Sequence, residues 1–369
     1  MTPPTPHPPA PLPPCKTSKG EPWLAALLVT MILGCRTAPP PPPVPAARQQ
    51  AQLIAQSALA LSQQANWTAA EREWARAADR FAALNDRVQE AVALHNLAQA
   101  QRQLGRLLSA RDQFERAARI NQSTGQTNAW WRNQLALVQL EPDLDPPVSP
   151  APRLDALSSL LPALTDPRLR GLFLNDLGRQ QLRQGEIPAA EATIRLALET
   201  FRAAAWPAGV AAATANLADT QLAQNQFEPA YASWTTALRL FEQAADLQGI
   251  ALAMEGLGRT RLAEARNLPQ AEDWLRRAAR GYHHIHRTLD RIRVLESLFL
   301  CLQQQQHPIV FVQQELAEAH ESAAAFWEAA ESHPRALRHW QAAASLSSDI
   351  SDAAALDRAQ AGIQRCSNP

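Results

Sequence analysis

Arg179 and Arg183 stand four residues apart, a spacing that sets two guanidiniums on one helix face. Together they can grip a carboxylate in bidentate fashion, as for the C-terminus of a partner chain, or simply form a solvated basic stripe. His283, His284 and His286 have the only metal-like spacing, yet no cysteine or acidic ligand lies near them. They read as a surface cluster, so no metal and no cofactor are expected. No GxSxG elbow, HExxH, CxxC or GxGxxG occurs, and no nucleophile stands beside the histidine-rich regions. Both lysines, Lys16 and Lys19, lie near the start, so a P-loop lysine, a Schiff-base lysine and a Ser-x-x-Lys pair are all excluded from the body of the chain. An enzyme is not expected. Basic and acidic residues total 35 each, which argues against a nucleic-acid partner, whose phosphates demand a concentrated basic face.

These residues must be positioned by a repeat. Ala58, Ala98, Val138, Gly178, Ala218, Gly258 and Leu298 lie 40 apart. In four copies Ala follows 12 residues later (Ala70, Ala110, Ala190, Ala230), a large apolar residue 16 later (Trp74, Phe114, Ile194, Trp234), and Ala 19 later (Ala77, Ala117, Ala197, Ala237). Small residues at fixed offsets let antiparallel helices approach closely, and such a unit buries its face only by stacking on its neighbours. First helices should begin near Ala51, Ala91, Trp131, Gly171, Ala211, Ala251 and Arg291 and run about fourteen residues. Turns are expected at Asn66, Gly105, Gly185 and Asn225, where a left-handed or capping conformation is needed. The third copy is altered, with a proline-rich stretch over Glu141 to Arg153 before a helix at about Leu154 to Leu164. Because the phase survives, one continuous solenoid is favoured over a hinge between two blocks. Beyond residue 280 the pattern loosens, with helices at about Asp290 to Gln306 and Val310 to Glu331. The offsets then return in Ala324, Ala336, Trp340 and Ala343, and a last helix near Ser351 to Gln364 should cap the stack.

The copies beginning HNLAQAQRQLGRL at His95, NDLGRQQLRQGEI at Asn175 and ANLADTQLAQNQF at Ala215 resemble the tetratricopeptide repeat family, in its longer variety of about 40 residues. The resemblance covers residues 47 to 280. It implies an all-α fold, a right-handed α-solenoid of antiparallel helix pairs, and a protein or peptide as partner. It also implies a concave groove lined by the first helices. In some members an asparagine at the place of Asn96 and Asn216, with Asp176 between them, holds the backbone of an extended peptide. A polar residue suited to a solvated groove is the plainer reading. By the same register His95, Gln99 and Arg102, then Asn175, Arg179 and Arg183, then Asp219, Glu255 and Arg259 should face the groove. The lysine-bearing clamp of chaperone-binding members is absent. Trp130 and Trp131 replace small residues of other copies, and either contact a partner or pack under the 141–153 loop.

Residues 23–33, WLAALLVTMIL, match a secretory h-region and are short for a permanent membrane span. The Ile32, Leu33, Gly34, Cys35 that close this region resemble the lipobox of bacterial lipoproteins, which implies lipidation at Cys35. Arg36, where an aspartate would favour the inner membrane, points to the outer membrane facing the periplasm. Eight prolines between Pro3 and Pro14 set the segment apart from an ordinary leader, as if the true start lay downstream. The domain reading is a signal segment over 1–34, a proline-rich tether over 35–46 and repeats over 47–142. A proline-rich loop over 143–152 follows, then repeats over 153–306, and a degenerate repeat with capping helices over 307–365. In an oxidising compartment Cys301 and Cys366 could pair, or stay a core residue and a free thiol. The functional expectation is a membrane-tethered, non-catalytic adaptor of the bacterial cell envelope. The alternative is a structural subunit of an envelope assembly such as a pilus, secretion or wall-synthesis machine.

Overall fold

A computed structural model describes residues 45–367. The expected signal segment, Cys35 and nearly all of the tether lie outside the described residues. Among the described residues every regular element is helical, and no helix is long and apolar enough to cross a membrane.

Five helices precede the proline-rich loop: α1 Ala46–Gln63, α2 Trp67–Ala83, α3 Arg87–Gln103, α4 Leu107–Ser123 and α5 Thr127–Leu140. A short α6, Ala151–Leu160, follows the proline-rich loop. The regular run then resumes with α7 Pro167–Arg183, α8 Ile187–Ala203, α9 Pro207–Ala223, α10 Phe227–Gln243, α11 Leu247–Glu264 and α12 Leu268–His284. Four helices complete the chain: α13 Thr288–Gln304, α14 Val310–Ala329, α15 His333–Asp349 and α16 Ala353–Ser367. Consecutive helices pack on one another, giving a solenoid of antiparallel helix pairs.

The period of 40 has a local origin. Most helices are 17 residues long and are joined by three-residue turns of one kind, so each helix advances the chain by 20. In all of these turns but the one after Glu264, the middle residue is left-handed and the next amide donates to the carbonyl five residues back: Asp86 to Phe81 (2.9 Å), Arg106 to Gln101 (2.9 Å), Gln226 to Gln221 (2.9 Å) and Asp246 to Phe241 (3.0 Å). This is the Schellman arrangement, which satisfies carbonyls that a helix end leaves open. Where this closing residue is Asp or Asn, its side chain also caps the following helix. Asp86 accepts from the Gln89 amide and Asp246 from the Gly249 amide. Asn66 is such a cap, bonded to the Ala69 amide, while Ala65 takes the left-handed position beside it. First helices begin about four residues earlier than their apolar spacing predicts, because this cap lies a full turn before the first buried alanine.

The small-residue ladder is buried as expected. Ala70, Ala110, Ala190 and Ala230 have no exposed surface, and Trp74, Phe114, Ile194 and Trp234 fill the space beside them. First and second helices differ in their burial. The second helices α2, α8, α10 and α12 bury one apolar stripe, whereas α9, buried on two faces, hides nine residues. Successive first helices α5, α7, α9, α11 and α13 also touch one another, so their layer is the inner, shorter one.

In the altered copy α6 stands in for a second helix. Leu154, Leu157 and Leu164 pack on Trp131, Leu135 and Phe173, and Arg153 ties the loop down by donating to Glu141 Oε1 (2.7 Å) and Gln134 Oε1 (2.7 Å). Trp131 is 2% exposed, with its ring edge-on to Phe173 at 5.8 Å and to the half-buried Trp130 at 5.6 Å. Trp131 is thus core beneath the inserted segment and offers no surface to a partner. Cys301 and Cys366 are both free: the Cys301 thiol points to the Leu268 carbonyl (3.4 Å) and the Cys366 thiol to Glu328 (3.3 Å).

Nothing in the repeat spacing warns that the array bends back on itself. Leu107, at the start of α4, packs into the cluster of Trp327 and Trp340. A Cβ at Gly105 would lie 2.9 Å from the Phe326 ring, so the α3–α4 turn needs glycine for close approach as well as for its φ of +74°. Arg335 and Arg338 of α15 pair with Asp145 at 3.6 and 2.9 Å, and Arg335 also donates to the Asp143 carbonyl.

Behind this contact, His320 of α14 and His339 of α15 face each other with Nδ1 atoms 2.9 Å apart. Such a contact needs at least one neutral ring. Burial and the neighbouring His339 push His320 down to about 4, and burial with Arg338 and Arg335 also lowers His339. The unfolded chain then binds more protons between about pH 6.5 and 4, so stability should fall as pH falls through that window. His320 is partly solvated, which limits the expected loss to about 1–2 kcal/mol. Urea melts at pH 7.5, 6 and 4.5 should show it, and His320→Leu should flatten the dependence. An unchanged slope in that variant would assign the acid sensitivity elsewhere.

Candidate functional site

The inner layer presents one row of polar side chains in repeat register: Gln99, Gln139, Arg179, Asp219 and Arg259, each 40 residues from the next. The row is partly self-paired, with Asp219 and Arg259 at 3.5 Å. A second row reads His95, Asn175 and Glu255. His95 Nδ1 lies 2.8 Å from Asn133 Oδ1, its ring is edge-on to Phe114, and burial lowers its pKa. Asn175, 7% exposed, accepts from Asn216 Nδ2 at 2.7 Å. Asn96 donates to the Val92 carbonyl of its own helix at 3.0 Å.

Several expected ligand contacts are therefore structural. Glu255 is 1% exposed, and both of its oxygens are occupied: Arg293 donates to them at 2.7 Å each, and the Tyr282 hydroxyl adds a third bond at 3.0 Å. Asn175 and Asn216 likewise join α7 to α9 instead of offering a matched pair of amides to a peptide. The sequence pairing of Asn96 with Asn216 rests on equal register, but different neighbours direct the two side chains differently.

What the structure does bring together lies at the altered copy. Arg102 of α3 and Arg179 and Arg183 of α7 line a cavity of about 160 Å³ with Asp176, Asp143 and Gln139. Val138, Pro142 and Pro150 complete its wall. Asp176 is 6% exposed, accepts from Gln139 Nε2 at 3.1 Å, and has Arg179 at 3.7 Å. Burial pushes its carboxyl above the usual range, with Arg179 and the Gln139 bond opposing. Burial also lowers Arg102, and Arg183 is lowered by burial and then by Arg179 beside it.

Register alone names four of these groups, Arg102, Asp176, Arg179 and Arg183, but not their meeting. Asp143, Pro142 and Pro150 read in the sequence as loop and nothing more. Gln139 carries a signal of its own, its place 40 residues before Arg179, although it falls in the irregular copy. Among the described residues no cluster of three or more His, Cys, Asp or Glu has a metal-binding arrangement.

No protein-family model matches the chain. No curated protein matches it either. Solved structures do. The chain is similar to the apo form of the quorum sensor NprR from B. thuringiensis, with TM-score 0.57, 12% identity and 77% of each chain covered. It is also similar to the STAND protein PH0952 from Pyrococcus horikoshii, which has a tetratricopeptide repeat sensor, with TM-score 0.48, 12% identity, and 85% of this chain and 47% of that chain covered. The apo form of RapI matches with TM-score 0.48 and 10% identity, over 86% of this chain and 97% of that one. At these identities the likeness concerns architecture. Paired 17-residue helices, the buried small-residue ladder and the likeness to NprR together make this a tetratricopeptide-type helical repeat fold.

Proposed function

We propose that the chain is a non-catalytic adaptor that binds a protein or peptide along its inner helix layer, tethered outside the cytoplasm by a lipidated Cys35. One observation carries the binding reading: an inner layer whose side chains at 40-residue spacing are polar and of mixed charge, where an unused face of a stack needs only solvation. The NprR sensor is built on a comparable scaffold. The lipobox-like Ile32 to Cys35 and the prolines after it support the tether, and Arg36 supports the outer membrane, with the body in the periplasm.

Crosslinked envelopes carrying the full chain should yield exchangeable, substoichiometric partners. One complex of fixed ratio would instead support a structural subunit. Asn96→Ala with Gln99→Ala alters two half-exposed inner-layer residues whose side chains hold no other helix. It should reduce partner recovery at least about fivefold. Undiminished recovery would move binding off this layer. Cys35→Ser should release the protein from membranes, and association that still requires detergent would show a retained hydrophobic anchor.

A further inference from the structure

Among the described residues, Arg102 is the one arginine shielded from full exposure that has neither an ion-pair partner nor a hydrogen-bond partner. Other partly buried arginines, such as Arg153, Arg261, Arg287, Arg291 and Arg335, are each met by a carboxylate. A guanidinium removed from water without a counter-group is costly, and its five donors are left open. Arg183 enters the same cavity and also lacks a carboxylate within ion-pair distance, while Arg179 is only loosely held by Asp176 at 3.7 Å. We propose that this cavity binds one free carboxylate between Arg102 and the Arg179–Arg183 pair, and that its occupant is the chain end of a peptide lying along the inner layer. The proposal rests on the groove reading above and specifies the chemistry at one end of it.

Charge decides between anions. Three guanidiniums and two carboxylates line the space, so with both acids ionised the lining has one net positive charge. A carboxylate neutralises it. A phosphate dianion would leave an excess negative charge close to the buried Asp176, where like charges repel strongly. Geometry agrees, because two planar oxygens match the fork of a guanidinium. The volume of about 160 Å³ is several times that of a water molecule, and Val138, Pro142 and Pro150 give a terminal side chain an apolar wall.

The test uses the full chain and four probes: N-acetyl-alanine, N-acetyl-alaninamide, N-acetyl-tetraalanine with a free C-terminus, and inorganic phosphate, each titrated separately. The acid should bind at least about tenfold more tightly than the amide. That preference should vanish in Arg102→Gln and weaken in Arg183→Gln, with helical circular dichroism unchanged. Should Arg102→Gln fail to fold, the exposed Arg183 gives the answer alone. Tighter binding of the tetrapeptide supports a chain end. Equal binding of the two acids would keep the carboxylate site but overturn the chain end in favour of a small free acid. Equal affinity for acid and amide, an acid preference that survives both substitutions, or stronger binding of inorganic phosphate would overturn the proposal. Partner loss in the Asn96 and Gln99 variant alongside any of these results would leave the groove reading standing.

Discussion

Gly256→Val should destabilise the fold by about 3 kcal/mol or more. A Cβ at this position would lie 2.1 Å from Trp234 Cε2 and 2.3 and 2.5 Å from two further ring atoms, far inside contact distance. Trp234 cannot swing away, since it is 1% exposed and held among Ala218, Ala237 and Leu257. A branched side chain adds two more atoms to the same space. The expected rescue is Trp234→Leu, which vacates the volume that the introduced valine would need. Alone it should cost about 2–3 kcal/mol, and combined with Gly256→Val it should cost less than the two losses added. Urea denaturation of the four proteins measures that coupling. Strict additivity would mean that α10 and α11 can separate freely, contrary to the packing described.

Arg293→Met should destabilise by about 2–3 kcal/mol by a different route. Glu255 is almost fully buried and depends on both guanidinium bonds, so removing Arg293 strands a carboxylate with only the Tyr282 hydroxyl for support. Arg293 is itself half exposed, and solvent near its head lowers the expected figure from that of a fully buried pair. The Glu255 bonds hold Arg293 above its ordinary value, while burial and then Glu255 raise Tyr282. Glu255→Gln in the Arg293→Met background should recover a substantial part of the loss, because a neutral amide tolerates the site better than an unpaired charge. If the double variant is no more stable than the single one, the loss comes from packing of the arginine stem, not from the stranded charge.

Much of the fold was legible because the ladder at Ala58, Ala98 and their counterparts records a close helix approach directly, as residue size. The helix at Val310 was legible to within two residues at its end. Helix starts fall about four residues before the apolar pattern because Asp86, Asp166 and Asp246 cap ahead of it, and periodicity alone looks past them. The register shift after Leu298 has a simple cause. α14 is both the partner of α13 and the first helix of the closing pair, so one helix serves where two were expected. Site residues were legible by row but not by pairing. Glu255 looks like a groove residue in register, and only the position of Arg293, 38 residues away, makes it internal. The cavity arginines were legible one by one, yet their convergence depends on the proline-rich loop and on the superhelical path, which neighbour spacing does not encode.

That path has a consequence for how the chain comes apart. A stack held only by adjacent layers can melt from either end, one hairpin at a time. Here Arg335 reaches Asp143 across 192 positions, and Phe326 rests on the Gly105 corner. Fraying of α15 therefore strips cover from Leu107 and releases the segment that forms part of the cavity wall. A ligand that stiffens that wall would slow unravelling at the distant tail, and loosening the tail would ease entry at the wall. The clasp turns a one-dimensional pile of hairpins into a ring-like circuit in which two remote stretches breathe together.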